Sequence, residues 1–236
     1  MTYIVKDLSL IDTSYWYVNK QTVKGCLSIA DEFREFDKKD GDGDFVVTNI
    51  CEPVLPSVYS FKLFEPEWCK RLVEEIKLID NEVGLQPNLE EDELRQIPEF
   101  VINDSSPDLY NLMRLVLRDI ISPVNWSLFG HGELSLASVQ IAHYNPKGKV
   151  AGAWHHDASA DFTVVVPLNT GDYVGGGTEF FNLGTVEPLD TGSALIFPST
   201  SHMHRGLAVE SGDRYLLVFW LYLKNRIPDL INNIVY

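Results

Sequence analysis

Two short segments hold the residues whose types and spacing can do chemistry. The first, Ala151-Gly-Ala-Trp-His-His-Asp-Ala-Ser159, contains a His-x-Asp, His155 and Asp157, in a stretch with strand character. Residues i and i+2 of a strand point to one face, so an imidazole nitrogen and a carboxylate oxygen can converge on one point. Two ligands hold a metal poorly, and a third is expected. The second segment, Ser201-His-Met-His-Arg-Gly206, supplies it at His204, 49 positions on (204 − 155). His202 has the same strand parity and is the alternative third ligand. Of six histidines in the chain, four (His155, His156, His202 and His204) lie in these two segments. A lone buried histidine is usually a satisfied core residue, but four in two clusters around an acid favour metal binding. If Asp157 ligates, pleat alternation places His155 beside it and His156 on the opposite face. Two histidines and one carboxylate leave half an octahedron open, the facial arrangement that holds Fe(II) with positions free for reactants.

Ten residues after His204, Arg214 opens Gly212-Asp-Arg-Tyr-Leu-Leu-Val-Phe-Trp220, a strand that is nearly all apolar from Leu216 to Leu223. An arginine entering a buried strand needs an anion, and a guanidinium holds a carboxylate with charge-assisted hydrogen bonds. Beside an iron site, that anion suits the distal carboxylate of 2-oxoglutarate. Tyr144, eleven residues before His155, ends the preceding strand. Its hydroxyl can donate to the same carboxylate; a packing tyrosine at a strand end is an equally good reading. Gly175-Gly-Gly177 lacks the strand–helix context of a phosphate loop and reads as a flexible hairpin turn.

The elements that must position these residues follow from periodicity and punctuation. Trp68, Leu72, Val73, Ile76 and Ile79 recur at helical spacing behind Pro66, with Lys70, Glu74, Glu75 and Lys77 on the polar face. A second helix starts with Ser106 as N-cap and Pro107 at its first position, buries Leu109, Leu112, Val116 and Ile120, and stops before Pro123. From residue 134 the chain reads as strands only: 134–144, 152–157, 161–168, 178–181, 186–189, 193–197, 202–207 and 214–223. Many short strands with Gly, Asn and Pro turns, preceded by two amphipathic helices, predict a mainly β fold with flanking helices. Its core is a jelly roll, cupin-like, that is, a double-stranded β-helix. The organisation expected is an N-terminal extension over 1–55 packed on the core, a catalytic domain over 56–223 with its β core at about 134–223, and a C-terminal tail over 224–236 that offers a homodimer contact. In the first part, Thr13–Val18 has strand composition and Gly25–Phe36 fits a strand or short helix. Asp37-Lys-Lys-Asp-Gly-Asp-Gly-Asp44 fails the EF-hand pattern and reads as a polar hairpin turn. Residues 80–104 read as an acidic, irregular loop that includes Leu89-Glu-Glu-Asp-Glu93.

A chain of 236 residues is long enough for one large domain with a substantial core. Its net charge of −15 excludes nonspecific nucleic-acid binding, which depends on Lys and Arg at phosphates. It suits a neutral or cationic substrate, although solubility alone also explains it. Three cysteines, Cys26, Cys51 and Cys69, give no disulfide framework and imply reduced thiols. No signal peptide or membrane-length apolar run is evident, so a cytoplasmic location and no membrane partner are expected.

The order of motifs resembles the Fe(II)/2-oxoglutarate-dependent oxygenases of the prolyl 4-hydroxylase and procollagen-lysyl hydroxylase branch. The elements are His155-His-Asp-Ala-Ser159, Phe162-Thr-Val-Val-Val-Pro-Leu-Asn169, Gly175-Gly-Gly-Thr-Glu-Phe180, Gly192-Ser-Ala-Leu-Ile-Phe-Pro198, His202-Met-His-Arg-Gly-Leu207 and Gly212-Asp-Arg-Tyr215. The likeness is strong over 139–221, weaker over 56–138, and does not reach 1–50. It implies iron at His155, Asp157 and His204, because the third ligand of this branch is the histidine followed by x-Gly. It also implies 2-oxoglutarate at Arg214 with Tyr144, O2 as oxidant and ascorbate as an accessory reductant. The activity implied is hydroxylation of an unactivated C–H, foremost of a lysyl or prolyl residue in a protein or peptide. A free amino acid or small metabolite is the runner-up substrate, and a silent metal- or sugar-binding jelly roll is the non-enzymatic alternative. One extra residue near Ala160-Asp161 departs from the pattern.

Overall fold

The computed structural model describes residues 2–11, 51–87, 89, 96–131 and 133–224. The expectations for Thr13–Val18, Gly25–Phe36 and Asp37–Asp44, for most of the acidic run Leu89–Glu93 and for the tail beyond Lys224 fall outside those residues. In chain order the strands and principal helices are β1 (Glu52–Leu55), β2 (Val58–Lys62), α1 (Pro66–Val83), β3 (Gln86–Pro87), β4 (Pro98–Val101), α2 (Pro107–Val116), α3 (Ser122–Phe129) and β5 (Leu134–Tyr144). There follow β6 (Phe162–Pro167), β7 (Tyr173–Gly175), β8 (Thr178–Phe180), β9 (Gly184–Val186), β10 (Ser193–Pro198), β11 (His204–Gly206), β12 (Val209–Gly212) and β13 (Arg214–Leu223).

An eight-stranded sheet, β1-β2-β10-β6-β13-β5-β4-β3, forms one wall. The opposite wall is made of β11-β8-β9 and of β12-β7, and every pairing is antiparallel. This is the expected double-stranded β-helix. Side-chain alternation along β13 sorts the two faces of the large sheet. Tyr215, Leu217, Phe219 and Leu221 join the main core with Ile141, Val164 and Ile196, under α1 and α2. Leu216 and Val218 face the barrel interior, with Ala142 and Tyr144 of β5 and Tyr173 of β7. Trp68, Leu72, Ile76 and Ile79 of α1 are fully buried, as the periodicity predicts. Each such side chain contributes about 1.5–3 kcal/mol by leaving water.

Five expectations need correction. Glu75 is 2% exposed, not on a polar face. The segment 2–11 covers it: Tyr3 Oη, Lys6 N and Asp7 N donate to its carboxylate at 2.6, 2.7 and 3.2 Å. Ser106 precedes α2 but its buried hydroxyl makes no capping bond. The second helix does not stop before Pro123. A π turn, Leu117–Ile121, closes with the N–H of Ser122 on the carbonyl of Leu117 and carries the chain on into α3, where the missing N–H of Pro123 falls in a first turn that needs no donor. The three glycines 175–177 are not a hairpin turn. All have φ between +79° and +100°, and they step the chain between pairings, because β7 pairs with β12 whereas β8 pairs with β11 and β9. The acidic 80–104 stretch is also less irregular than expected, since α1 runs to Val83 and β3 pairs with β4.

Candidate metal centre and anion pocket

The segment 152–157 is not a regular strand. Gly152 N donates to Gly206 O at 3.0 Å, and His155 and His204 exchange both backbone hydrogen bonds as an isolated bridge. The chain then turns, with Ala160 N on Asp157 O, to enter β6. The loose pairing still sets His155 directly opposite His204, and Asp157 swings to the same point from the turn. The ligand atoms of His155, Asp157 and His204 all lie within 4.8 Å of one another. Asp157 Oδ1 is 3.3 Å from His155 Nε2, and its Oδ2 is 3.6 Å from His204 Nε2.

Hydrogen bonds behind the ligands fix their chemistry. His155 Nδ1 faces Ala153 O at 2.8 Å and His204 Nδ1 faces His202 O at 2.9 Å. A carbonyl only accepts, so both Nδ1 atoms carry the proton and both Nε2 lone pairs point inward. Thr163 Oγ1 donates to Asp157 Oδ2 at 2.5 Å and meets Ser199 Oγ at 2.8 Å. Burial alone would raise the Asp157 carboxyl, yet the hydrogen bond that His155 offers when protonated, the charge of His204 when protonated and the Thr163 hydroxyl hold it below its ordinary value. Burial chiefly pushes His204 down, against the pull of Asp157. A neutral imidazole beside an ionised carboxylate is the state in which both can ligate. Two imidazole nitrogens and a carboxylate converging in a buried spot are a donor set that a divalent cation satisfies, and it fits a facial Fe(II) site.

His202 does not join them. Its Nε2 donates to Pro56 O at 3.2 Å and its Nδ1 accepts from Ser201 Oγ at 2.8 Å. Its ring packs beside Phe180 and Phe197, which also enclose His204. His156 is exposed and is not part of the converging set.

Arg214 is 3% exposed. Its Nη2 donates to Gly177 O at 3.2 Å, while Nε and Nη1 find no acceptor among the described residues. It stands opposite Tyr144 in the β13–β5 register, with its guanidinium 5.6 Å from the Tyr144 ring and 6.0 Å from the Tyr173 ring. The buried hydroxyl of Tyr173 is likewise without a partner among the described residues. Arg214 borders a shallow cleft with Val165, Thr178, Leu195 and Leu216. An orphaned guanidinium on the wall of a cleft, with a second orphaned donor near its side chain, fits a carboxylate. Sequence reasoning reached Arg214 and Tyr144 but missed Tyr173, Thr163 and Ser199. The motif Phe162–Asn169 contains Thr163 and the motif Gly192–Pro198 ends beside Ser199, but neither assigns them a role.

No protein-family model matches the chain. Procollagen-lysine,2-oxoglutarate 5-dioxygenase 2 of Homo sapiens is 29% identical over 181 residues, spanning 73% of this chain and 24% of that protein. The chain thus spans about a quarter of the length of the curated relatives it matches. Among solved structures, an oxidoreductase of the 2OG-Fe(II) oxygenase family from Burkholderia pseudomallei superimposes with a TM-score of 0.56 at 17% identity, covering 73% of this chain and 88% of that one. A prolyl hydroxylase from Trichoplax adhaerens, in complex with a hypoxia inducible factor peptide fragment, gives 0.56 at 16% identity over 77% and 87%. The chain therefore has the fold of the 2-oxoglutarate–Fe(II) oxygenases and, within that fold, resembles the branch of the prolyl 4-hydroxylases and procollagen-lysyl hydroxylases.

Proposed function

We propose that the protein is an Fe(II)- and 2-oxoglutarate-dependent dioxygenase that hydroxylates an unactivated C–H of a lysyl or prolyl residue in a protein or peptide. The observation that carries the reading is the pairing of two sites in one barrel: three lone pairs converging at half-buried His155 and buried Asp157 and His204, and a buried guanidinium at Arg214 with two donors unsatisfied among the described residues. His155, Asp157 and His204 would hold the iron; Arg214, Tyr173 and Tyr144 would hold the distal carboxylate. Fe(II) with 2-oxoglutarate and O2 supplies the chemistry, in which one oxygen atom enters the C–H and the other converts 2-oxoglutarate to succinate and CO2.

The protein's own share is positional. The carbonyls of Ala153 and His202 fix the histidine tautomers, Thr163 fixes the Asp157 carboxylate, and Val165, Leu195 and Leu216 give the cleft beside Arg214 an apolar wall. The relatives are named for action on procollagen lysine, which supports a lysyl target, and the net charge of −15 agrees with a cationic one. Ascorbate belongs to the reading only as an accessory reductant. A panel of lysyl, prolyl and neutral peptides and of free amino acids, incubated with Fe(II), 2-oxoglutarate and O2, should yield a product heavier by one oxygen in the lysyl or prolyl peptides. Product only from free amino acids would move the reading to the runner-up class, and no product from any would remove the hydroxylase reading.

A further inference from the structure

We propose that Gly206 sets the size limit of the cosubstrate pocket. It keeps open the space beside Tyr144 and Arg214 that the distal carboxylate of a five-carbon 2-oxo dicarboxylic acid takes, so a side chain there shifts selectivity toward a shorter acid. The inference rests on the 2-oxoglutarate reading above.

Strand alternation puts Gly206 on the same inward face of β11 as His204, whereas Arg205 turns outward to pair with Glu179 and lie on the Trp154 ring. Two residues of strand cover about 6.6 Å, comparable with the length of an extended five-carbon acid. A ligand that starts at the His204 end of β11 therefore ends at the level of Gly206. The opposite wall at that level is the Tyr144–Arg214 pair. A Cβ on Gly206 would lie 3.5 Å from Tyr144 Oη and 3.6 Å from Arg214 Nη1. Those are ordinary contact distances, so alanine fits against the protein itself. The methyl would nevertheless share the space facing both donors, where a carboxylate oxygen must approach to about 2.8 Å to accept from them.

The backbone can neither refuse the substitution nor retreat from it. Gly206 is not among the glycines of positive φ, so an L-residue is unstrained there. Behind it, a Cβ on Gly152 would already lie 3.0 Å from Gly206 N, which shows how closely the 150–155 segment backs β11. On the far side of the guanidinium, a Cβ on Gly176 would lie 3.2 Å from Arg214 Nε. Glycines thus border the guanidinium at both nitrogens that lack a protein partner.

The test is calorimetric binding of 2-oxoglutarate and of oxaloacetate, one methylene shorter, to the full chain loaded with redox-inert Mn(II). Gly206→Ala should weaken 2-oxoglutarate about tenfold or more and oxaloacetate by no more than about threefold, and Gly206→Val should deepen the difference. Mn(II) affinity and melting temperature should stay at wild-type values. Wild-type affinity for 2-oxoglutarate in Gly206→Ala overturns the inference and leaves the functional reading standing. Equal loss of both acids together with Mn(II) also overturns it, because that pattern marks general distortion. Failure of the wild-type protein to bind 2-oxoglutarate at all overturns both.

Discussion

Replacing Arg214 with methionine removes a buried guanidinium and keeps most of the volume of its stem. In the ligand-free protein the loss is small, because among the described residues Arg214 makes one hydrogen bond, to Gly177 O at 3.2 Å, and buries Nε and Nη1 without acceptors. With 2-oxoglutarate bound, those two donors gain a carboxylate. Two charge-assisted hydrogen bonds at about 1.5–3 kcal/mol each give about 3–6 kcal/mol, or roughly 10²–10⁴ in Kd. A ligand at a hundred times its Kd stabilises the wild-type fold by about 2.7 kcal/mol. For a chain of this size that is about 5–10 °C in Tm. Differential scanning fluorimetry with Mn(II), with and without 2-oxoglutarate, reads both quantities. The ligand-induced shift should vanish in Arg214→Met while the ligand-free Tm stays near wild type. A variant that keeps the shift, or a Kd within about threefold of wild type, would refute the assignment of the anion to Arg214.

Three further outcomes follow from single contacts. Thr163→Val removes the hydroxyl that holds Asp157 Oδ2 and should lower metal affinity roughly 10–100-fold by equilibrium dialysis, without abolishing folding. Glu75→Ala strips the acceptor from Tyr3 Oη, Lys6 N and Asp7 N and should cost roughly 3 kcal/mol, or about 6–12 °C in Tm, with metal affinity unchanged. His204→Ala should abolish Fe(II) binding, whereas His202→Ala should keep it and lose about 1 kcal/mol with the bond to Pro56 O; the opposite pattern would move the third ligand to His202.

What was legible in the sequence is what is local. His155 and Asp157 are two residues apart, and even a loose strand-like segment brings them together. Arg214 announced itself as a charge at the head of an apolar strand, and Tyr144 proved to be its partner in register. The choice between His202 and His204 was not legible from spacing, because parity is the same and the decision lies with the carbonyl of Pro56, 146 positions away. Glu75 looked solvated on helical spacing, and only the packing of residues 2–11 over α1 buries it. Pro123 looked like a helix end because a π turn leaves no periodic signature that a sequence reader would notice. Tyr173 and Gly206 act through what they do not touch, an orphaned hydroxyl and a missing Cβ, and neither has a sequence pattern.

The most direct test of the iron and 2-oxoglutarate site is succinate formation from 2-oxoglutarate, measured on the purified protein with Fe(II), in air and under argon, beside Asp157→Ala. The account predicts succinate that requires both iron and O2, disappears in Asp157→Ala, and forms mole for mole with hydroxylated product when a lysyl or prolyl peptide is accepted. Iron-loaded wild-type protein that forms no succinate with any peptide, or Asp157→Ala that forms as much as wild type, would contradict it.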